Sequence, residues 1–436
     1  MANPESVPAV PEDDVPANEA LQVPSPEELA REEEFAFHLS GYDNREHALP
    51  IRQGDLTRLL LAEPGLTPYE REKLEAFGKI LGATFHSEYY DRLHELKELY
   101  APLDPDSEYV TLNEHTREAH ELSDEEFLIP FEQTMVRANY SPLDIDIIKK
   151  AVSAPNEMGL TYVPDFTLFE HLRVYVRGYT RVSRDLRSMK TRFKKRTARL
   201  DAYQRMVIAL KFRPGLRLGP YVRSDVLYLR MFKDVPHVDM EMHLPEQGTK
   251  VRMRLIDKAQ IASPLVIGLP TLLFKLLFAS LTLTTFALGG VLIAPISAGV
   301  NSFFGFQRAK QRHLNEMIRR LYYLSLANNA SVLTRLVDSA EDEDYKEAML
   351  AYFFLWRATV HGKPLTMHEA DLEIEQFIRE RMGVEVNFDV ADALSKLIRL
   401  GLVKRDSQSK LHAAPIDDAL HELDRIWDST FPYSRG

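Results

Sequence analysis

The feature that most constrains this chain is a long stretch with almost no charge. No Asp or Glu occurs between Asp257 and Glu316, and Pro264–Phe306 carries one charged residue, Lys275. A helix needs about 20 apolar residues to cross ~30 Å of hydrocarbon. The stretch is long enough for two such spans, joined by a turn at Thr282–Thr285 or Gly289–Gly290. Bases flank both ends: Lys250, Arg252, Arg254 and Lys258 before it, Arg308, Lys310, Arg312, Arg319 and Arg320 after it. Positive flanks on both sides predict a transmembrane hairpin with both termini in the cytoplasm. Gly268, Gly289, Gly290, Gly299 and Gly305 allow the two helices to approach closely. Two alternatives stay open. One is a single span, Leu276–Val300, with Lys275 snorkelling at its edge. The other is a hairpin buried in a folded core. Lys275 argues for them, since a lysine at a span centre costs ~2.5–3.5 kcal/mol on insertion scales.

Charge outside this stretch is sorted along the chain. The net charge is −11, but residues 170–258 hold 22 Lys and Arg against 9 Asp and Glu, a net of +13, which leaves −24 elsewhere. The densest run is Lys190, Arg192, Lys194, Lys195, Arg196 and Arg199. Placed just before the apolar stretch, it is expected to contact anionic lipid headgroups. Pairing with the protein's own acids and binding to nucleic acid are the alternatives. Residues 1–34 are rich in proline and acid, and are expected to form a disordered tail. That tail lacks the basic start and apolar core of a secretory signal and the arginine-rich character of a transit peptide. The bulk of the chain is therefore expected to stay in the compartment where it was made. The chain has no cysteine, which excludes disulfides, thiolate metal sites and a cysteine nucleophile.

The expected fold class is α+β, mostly helical. Residues 35–157 read as a helical domain. Leu74, Phe77, Leu81, Phe85, Tyr89, Leu93, Leu96 and Tyr100 recur every three or four positions on one helix, ended by Pro102 and Pro105. Ser123 with Glu126, and Ser141 with Pro142, mark two more helix starts. Residues 158–258 read as a basic strand-containing domain, with strands at Leu172–Tyr179, Arg205–Phe212, Val226–Phe232, Val238–Leu244 and Val251–Ile256. The hairpin occupies 259–306. Residues 307–436 begin with helices at His313–Ala327 and Ser331–Thr359, the second bearing an acidic patch at Glu341–Asp344. A winged-helix-like module follows: a helix opened by Thr366 and Glu369, one opened by Asp389, a hairpin around Asp406–Ser409, and a helix at Ile416–Asp428. Met349, Leu350, Phe353, Phe354 and Trp356 are expected to pack on Leu394, Leu397, Ile398 and Leu400, with Asp392, Ser395, Lys396 and Arg399 facing solvent.

Four blocks carry a family resemblance. Leu49-Pro50-Ile51 leads to Asp55-Leu56 and Arg58-Leu59-Leu60. Phe85-His86 runs through Tyr100-Ala101-Pro102. Val226–Leu244 includes Phe232, Lys233, Pro236, Asp239 and Glu241. Tyr345–Arg357 includes Lys346, Glu347 and Tyr352. Over residues 47–430 the chain resembles the transmembrane-protein-143-like family, also described as domain of unknown function 3754. The resemblance implies membrane association and, with no transit peptide evident, a bacterial member in the inner membrane; it supplies no catalytic residues.

Candidate chemistry is sparse. His237, Asp239, Glu241 and His243 alternate as if on one face of a strand, but His237 and His243 then lie ~20 Å apart and cannot share an ion. His86, Tyr90 and His94 step along one helix as a solvated stripe. No glycine-rich phosphate loop or nucleophile elbow occurs. No cofactor or metal is expected. The C-terminal module holds 10 bases and 14 acids over residues 360–436, which disfavours nucleic acid and favours a protein partner. The expected function is a non-enzymatic scaffold or adaptor. The alternatives are an enzyme acting on a lipid or other anionic substrate, and a tethered nucleic-acid binder.

Overall fold

The computed structural model describes residues 48–107, 124–153, 160–163, 165–187, 195–216, 222–237, 250–253 and 321–430, with residues 240, 243, 311, 315 and 318 between them. Helix α1 is Gln53–Leu61 and α2 is Pro68–Tyr100. Thr67 and Glu70 close a capping box at the start of α2, with Pro68 in the first turn. The expected stripe, from Leu74 through Phe77, Leu81, Phe85 and Tyr89 to Tyr100, is buried. It packs against α5, Ala330–Val360, which runs through the middle of the core. Residues Ala348–Phe353 of α5 are buried without a break, as befits a helix covered on all sides. Phe77 stacks on Tyr352 with ring centroids 4.1 Å apart.

Two shorter helices, α3 (Asp124–Arg137) and α4 (Ile145–Ser153), follow α2 in the chain. Beyond α5 come α6 (Met367–Met382), α7 (Val390–Arg399), strands β8 (Val403–Arg405) and β9 (Leu411–Ala413), and α8 (Ile416–Thr430). Thr366 and Glu369 cap α6, and Gly383 ends it at φ 67°, a left-handed position glycine tolerates. This winged-helix-like order shares one apolar core with α1, α2 and α3.

The main sheet is antiparallel, in the order β1 (Ser141–Leu143), β3 (Phe169–Arg187), β4 (Lys195–Phe212), β5 (Leu227–Pro236), β7 (Ser325–Asn328). Tyr175, Val207, Ala209, Leu229 and Met231 turn one face toward the helical core. A separate pair joins β2 (Leu160–Val163) to β6 (Lys250–Met253).

Several expectations are corrected. Among the described residues no helix is long and apolar enough to cross a membrane. This overturns the transmembrane hairpin and the inner-membrane location expected with it; the segment it was assigned, 259–306, lies outside the described residues. The longest helices, α2 and α5, carry charge along their length and bury their apolar faces on each other. Ser141 and Pro142 open no helix. They form β1, which pairs Ser141 with Val176, and α4 starts after Asp144, whose carboxylate accepts from the Asp146 amide at 2.8 Å. The missing amide of Pro142 is tolerated because β1 is an edge strand. Of the strand expected at Val238–Leu244 only Met240 and His243 are described, and these, like His237 before them, lie in 3-10 turns. The helix expected over His313–Ala327 stops short, because Ser325–Asn328 pairs with β5 as β7. The tail expected at 1–34 lies outside the described residues.

Candidate functional site

The basic run belongs to a long hairpin. Strands β3 and β4 pair from Phe169↔Phe212 out to Arg187↔Lys195. Strand β5 covers β4 only from Ala202 to Lys211, and β1 covers β3 only from Val174 to Val176. Beyond that, from Arg181↔Asp201 to Arg187↔Lys195, the two strands pair with each other alone among the described residues. They form an arm of about 20 Å at ~3.3 Å per residue. Residues 181–201 hold nine bases and two acids, a net of +7. Gly178, at φ 68°, stands just inside the base of the arm, where a Cβ would meet the Gln204 side chain at 2.7 Å.

The root of the hairpin is neutralised by its neighbours. Arg173 pairs with Glu132 and Glu125 on α3, the latter at 3.2 Å. Lys211 Nζ sits 2.6 Å from Asp124 Oδ2. Arg177 donates to the Ala138 carbonyl and to Ser339 Oγ, and approaches Glu343 at 4.0 Å. Intramolecular pairing therefore takes up Arg173, Arg177 and Lys211 at the root of the hairpin.

A second cluster lies in the middle of α5. Glu343, Asp344, Lys346 and Glu347 are all buried, so the acidic patch expected at Glu341–Asp344 is largely internal. Lys346 Nζ lies 2.8 Å from Glu343 and 2.9 Å from Asp342, and donates to the Leu49 carbonyl at 2.7 Å. Lys396 of α7 is also buried and Ile398 is exposed, which corrects the expected place of each. Its ammonium stands 2.6 Å from each of Asp344 Oδ1, Glu347 Oε2 and Asp392 Oδ2. Tyr89 donates to Asp344 at 2.6 Å, and Asn139 Nδ2 donates to Glu347 at 3.1 Å. The inward position of Lys396 follows from α7 itself: Ala393, Leu394 and Leu397 are its neighbours on the buried face.

Asp344, Glu347 and Asp392 offer oxygens close enough to hold a metal ion, and Asp124, Glu170 and His171 offer two oxygens and a ring nitrogen equally close. In the first set the Lys396 ammonium already stands at that centre, and in the second Lys211 lies against Asp124. Each acid set is therefore matched to a resident cation.

Burial pushes the Glu347 carboxyl up to about 7, against the pull of Lys396. Burial also opposes charge on Lys396, but Glu347, Asp344 and Asp392 outweigh it and raise the pKa of the amine. Three carboxylates around one ammonium leave excess negative charge, so both directions hold together. The folded state then binds a proton at Glu347 that the unfolded chain releases near pH 4.5. That contribution to stability is complete below the unfolded value and is lost as pH rises through about 7. At 1.36 kcal/mol per pKa unit the loss is at most roughly 3 kcal/mol. Urea titrations from pH 5 to 8 are expected to show this decline in the wild-type chain and a flatter profile in Glu347→Gln; parallel profiles would refute it.

The other residues singled out from sequence are dispersed. Lys190, Arg192, Lys194, Asp239 and Glu241 lie outside the described residues. Lys195 and Arg196 begin β4, and Arg199 is exposed on it. Phe232, Lys233 and Pro236 are on β5, with Phe232 and Pro236 buried. Tyr352 is buried and donates to the Ala414 carbonyl at 3.0 Å. His86 faces Glu341 at 3.1 Å, and Tyr90 is exposed beside His94. His237 packs on Tyr203 at 4.2 Å, and burial lowers its pKa to about 4. Tyr89, Asn139 and Lys396 were missed. The signal for them was the Lys-Glu pair inside the apolar run Tyr345–Arg357, where charges require buried partners.

Residues 170–331 match the family described as "Protein of unknown function (DUF3754)". That match contains the arm and most of the main sheet and ends at the first turn of α5. No solved structure matches the chain.

Proposed function

We propose that the protein is a non-enzymatic scaffold or adaptor whose basic β3–β4 arm contacts anionic lipid headgroups through charge. The observation that carries this reading is the arm itself, a two-stranded ribbon that runs past its sheet neighbours and carries six bases against two acids over residues 181–187 and 195–201. Each base held near an anionic surface contributes up to ~1 kcal/mol. The C-terminal module fits a protein partner better than DNA. Ala393, Leu394, Lys396 and Leu397 of α7 are buried, and Arg399 grips Glu88 at 2.7 and 2.9 Å, so this helix is not free to enter a groove. The sequence blocks around Val226–Leu244 and Tyr345–Arg357 support kinship with the transmembrane-protein-143-like family as part of the same reading.

The test uses the full chain and vesicles of phosphatidylcholine with or without phosphatidylserine, at low and physiological salt. Binding is expected only to the anionic vesicles and weaker at the higher salt, where charge is screened beyond ~8 Å. Reversing Lys194, Lys195 and Arg196 to Glu is expected to cut affinity by about a hundredfold or more, from ~1 kcal/mol per lost base. Equal binding to neutral vesicles, or unchanged binding by the triple variant, would overturn the lipid reading. A two-stranded ribbon also fits the DNA major groove. Retention of duplex DNA together with no vesicle binding would reassign the arm to nucleic acid.

A further inference from the structure

Strand β5 divides its side chains by alternation. Leu227, Leu229 and Met231 enter the helical core. Tyr228, Arg230 and Phe232 fall on the opposite face, beside Leu210, Ile208 and Met206 of β4 by register. Across β4, Val174 and Val176 of β3 continue the same face. Every one of these neighbours is an apolar, buried residue except Tyr228. Arg230 is thus a single half-buried cation set in an apolar sheet face.

A cation in such a place normally has a carboxylate partner, because desolvated charge is costly unless paired. Arg230 has none: among the described residues no ion pair or hydrogen bond engages its guanidinium, and burial lowers its pKa with only Tyr228 acting the other way. What it does have is space. It lines a cavity of about 760 Å³ together with Asp106, Tyr228, Phe232, Tyr322 and the β7–α5 junction. That volume is of small-molecule size.

Several of the other polar groups around the cavity are already engaged. Asp106 accepts from Asn329 Nδ2 at 2.5 Å, and Asn329 Oδ1 accepts from the Leu229 amide at 3.2 Å. Ser331 Oγ bonds the Asn328 carbonyl at 2.6 Å and its amide at 3.0 Å. The Tyr228 hydroxyl accepts from the Arg223 amide at 2.8 Å. These bonds fix part of the wall, and the guanidinium fork is a charged group left to be satisfied. We propose that Arg230 and this cavity form a binding site for a small organic phosphate, its oxyanion on the guanidinium and its organic part against Tyr228, Phe232 and Tyr322. A guanidinium matches phosphate oxygens two at a time. The start of α5 opens onto the same cavity, and its field adds to the arginine's.

This site is distinct from the arm, and its test is separate. The full chain, in buffer free of phosphate, is titrated with adenosine monophosphate and with inorganic phosphate, against sodium acetate at matched ionic strength, by calorimetry and thermal melting. Both phosphates are expected to bind and to raise the melting temperature progressively, with adenosine monophosphate the tighter. Arg230→Met is expected to lose at least tenfold in affinity, and Arg230→Lys, which keeps the charge but not the fork, to fall between. A ligand-binding arginine makes one further demand. Without ligand, Arg230→Met is expected to melt at or above the wild-type temperature, since it replaces an unpaired desolvated cation by an apolar chain. No shift with either phosphate, equal affinity in Arg230→Met, or an unliganded Arg230→Met that melts well below wild type would each overturn the proposal.

Discussion

Replacing Lys396 by alanine is expected to destabilise the whole chain by ~3–5 kcal/mol, the usual cost of removing one partner of a buried ion pair. The variant would leave Asp344, Glu347 and Asp392 facing one another without the ammonium that stands 2.6 Å from each. It would also remove the contact that fixes α7 to the centre of α5. Shape and charge can be separated. Lys396→Met keeps most of the stem and is expected to be nearly as damaging. Combining it with Glu347→Gln removes one of the stranded charges and is expected to recover part of the loss, a coupling that a double-mutant cycle measures. Urea denaturation gives the midpoints directly. An unchanged midpoint for Lys396→Ala would mean that the amine is solvated and the cluster does not hold.

Phe353→Ala is expected to cost ~3–5 kcal/mol, as truncation of a buried aromatic does. Phe353 is fully buried, and its ring meets Phe354 at 5.4 Å, Trp356 at 6.4 Å and the Arg357 guanidinium at 5.4 Å. Its helix, α5, serves α2 on one side and the C-terminal module on the other, so the loss is expected to lower the melting temperature of the entire chain in one transition. A fragment of residues 341–436 is the wrong host for this test. It would strip α2 from α5, including the Phe77–Tyr352 stack, and expose the face that α2 covers. A Phe353→Ala chain that melts like wild type would place the ring outside the core.

How much of this was legible depends on which interaction decides each element. Periodicity and capping are local, and α2, α6 and α7 were readable from Leu74–Tyr100, Thr366 with Glu369, and Asp389. Pairing between distant strands is not local. Ser141-Pro142 looks like a helix start until Val176 is placed beside Ser141, and Ser325–Asn328 looks helical until β5 takes it as an edge partner. The buried charges were misread for a related reason. A lysine on an amphipathic helix is assigned to solvent by default, and only the fold brings Asp344 and Glu347 to Lys396. The apolar stretch was read by composition, which measures aversion to water and is silent on whether lipid or protein satisfies it. The positive charge of the hairpin was plain in the sequence, but its division into a paired root and a projecting arm required the register.

That division gives the hairpin an electrical gradient. At one end, acids on α3 cancel Arg173 and Lys211; at the other, nine bases face two acids. A molecule charged in this way feels a torque in an external field before it touches anything. Near a negative surface the arm is turned inward while the acid-rich remainder of the chain, at −24 outside residues 170–258, is pushed away. Encounters are thereby sorted by orientation while the partners are still about a Debye length apart, ~10 Å at 0.1 M salt. Salt then acts on the fraction of collisions that are productive as well as on the strength of the final contact, and association rate should fall more steeply with ionic strength than the net charge of the chain would suggest.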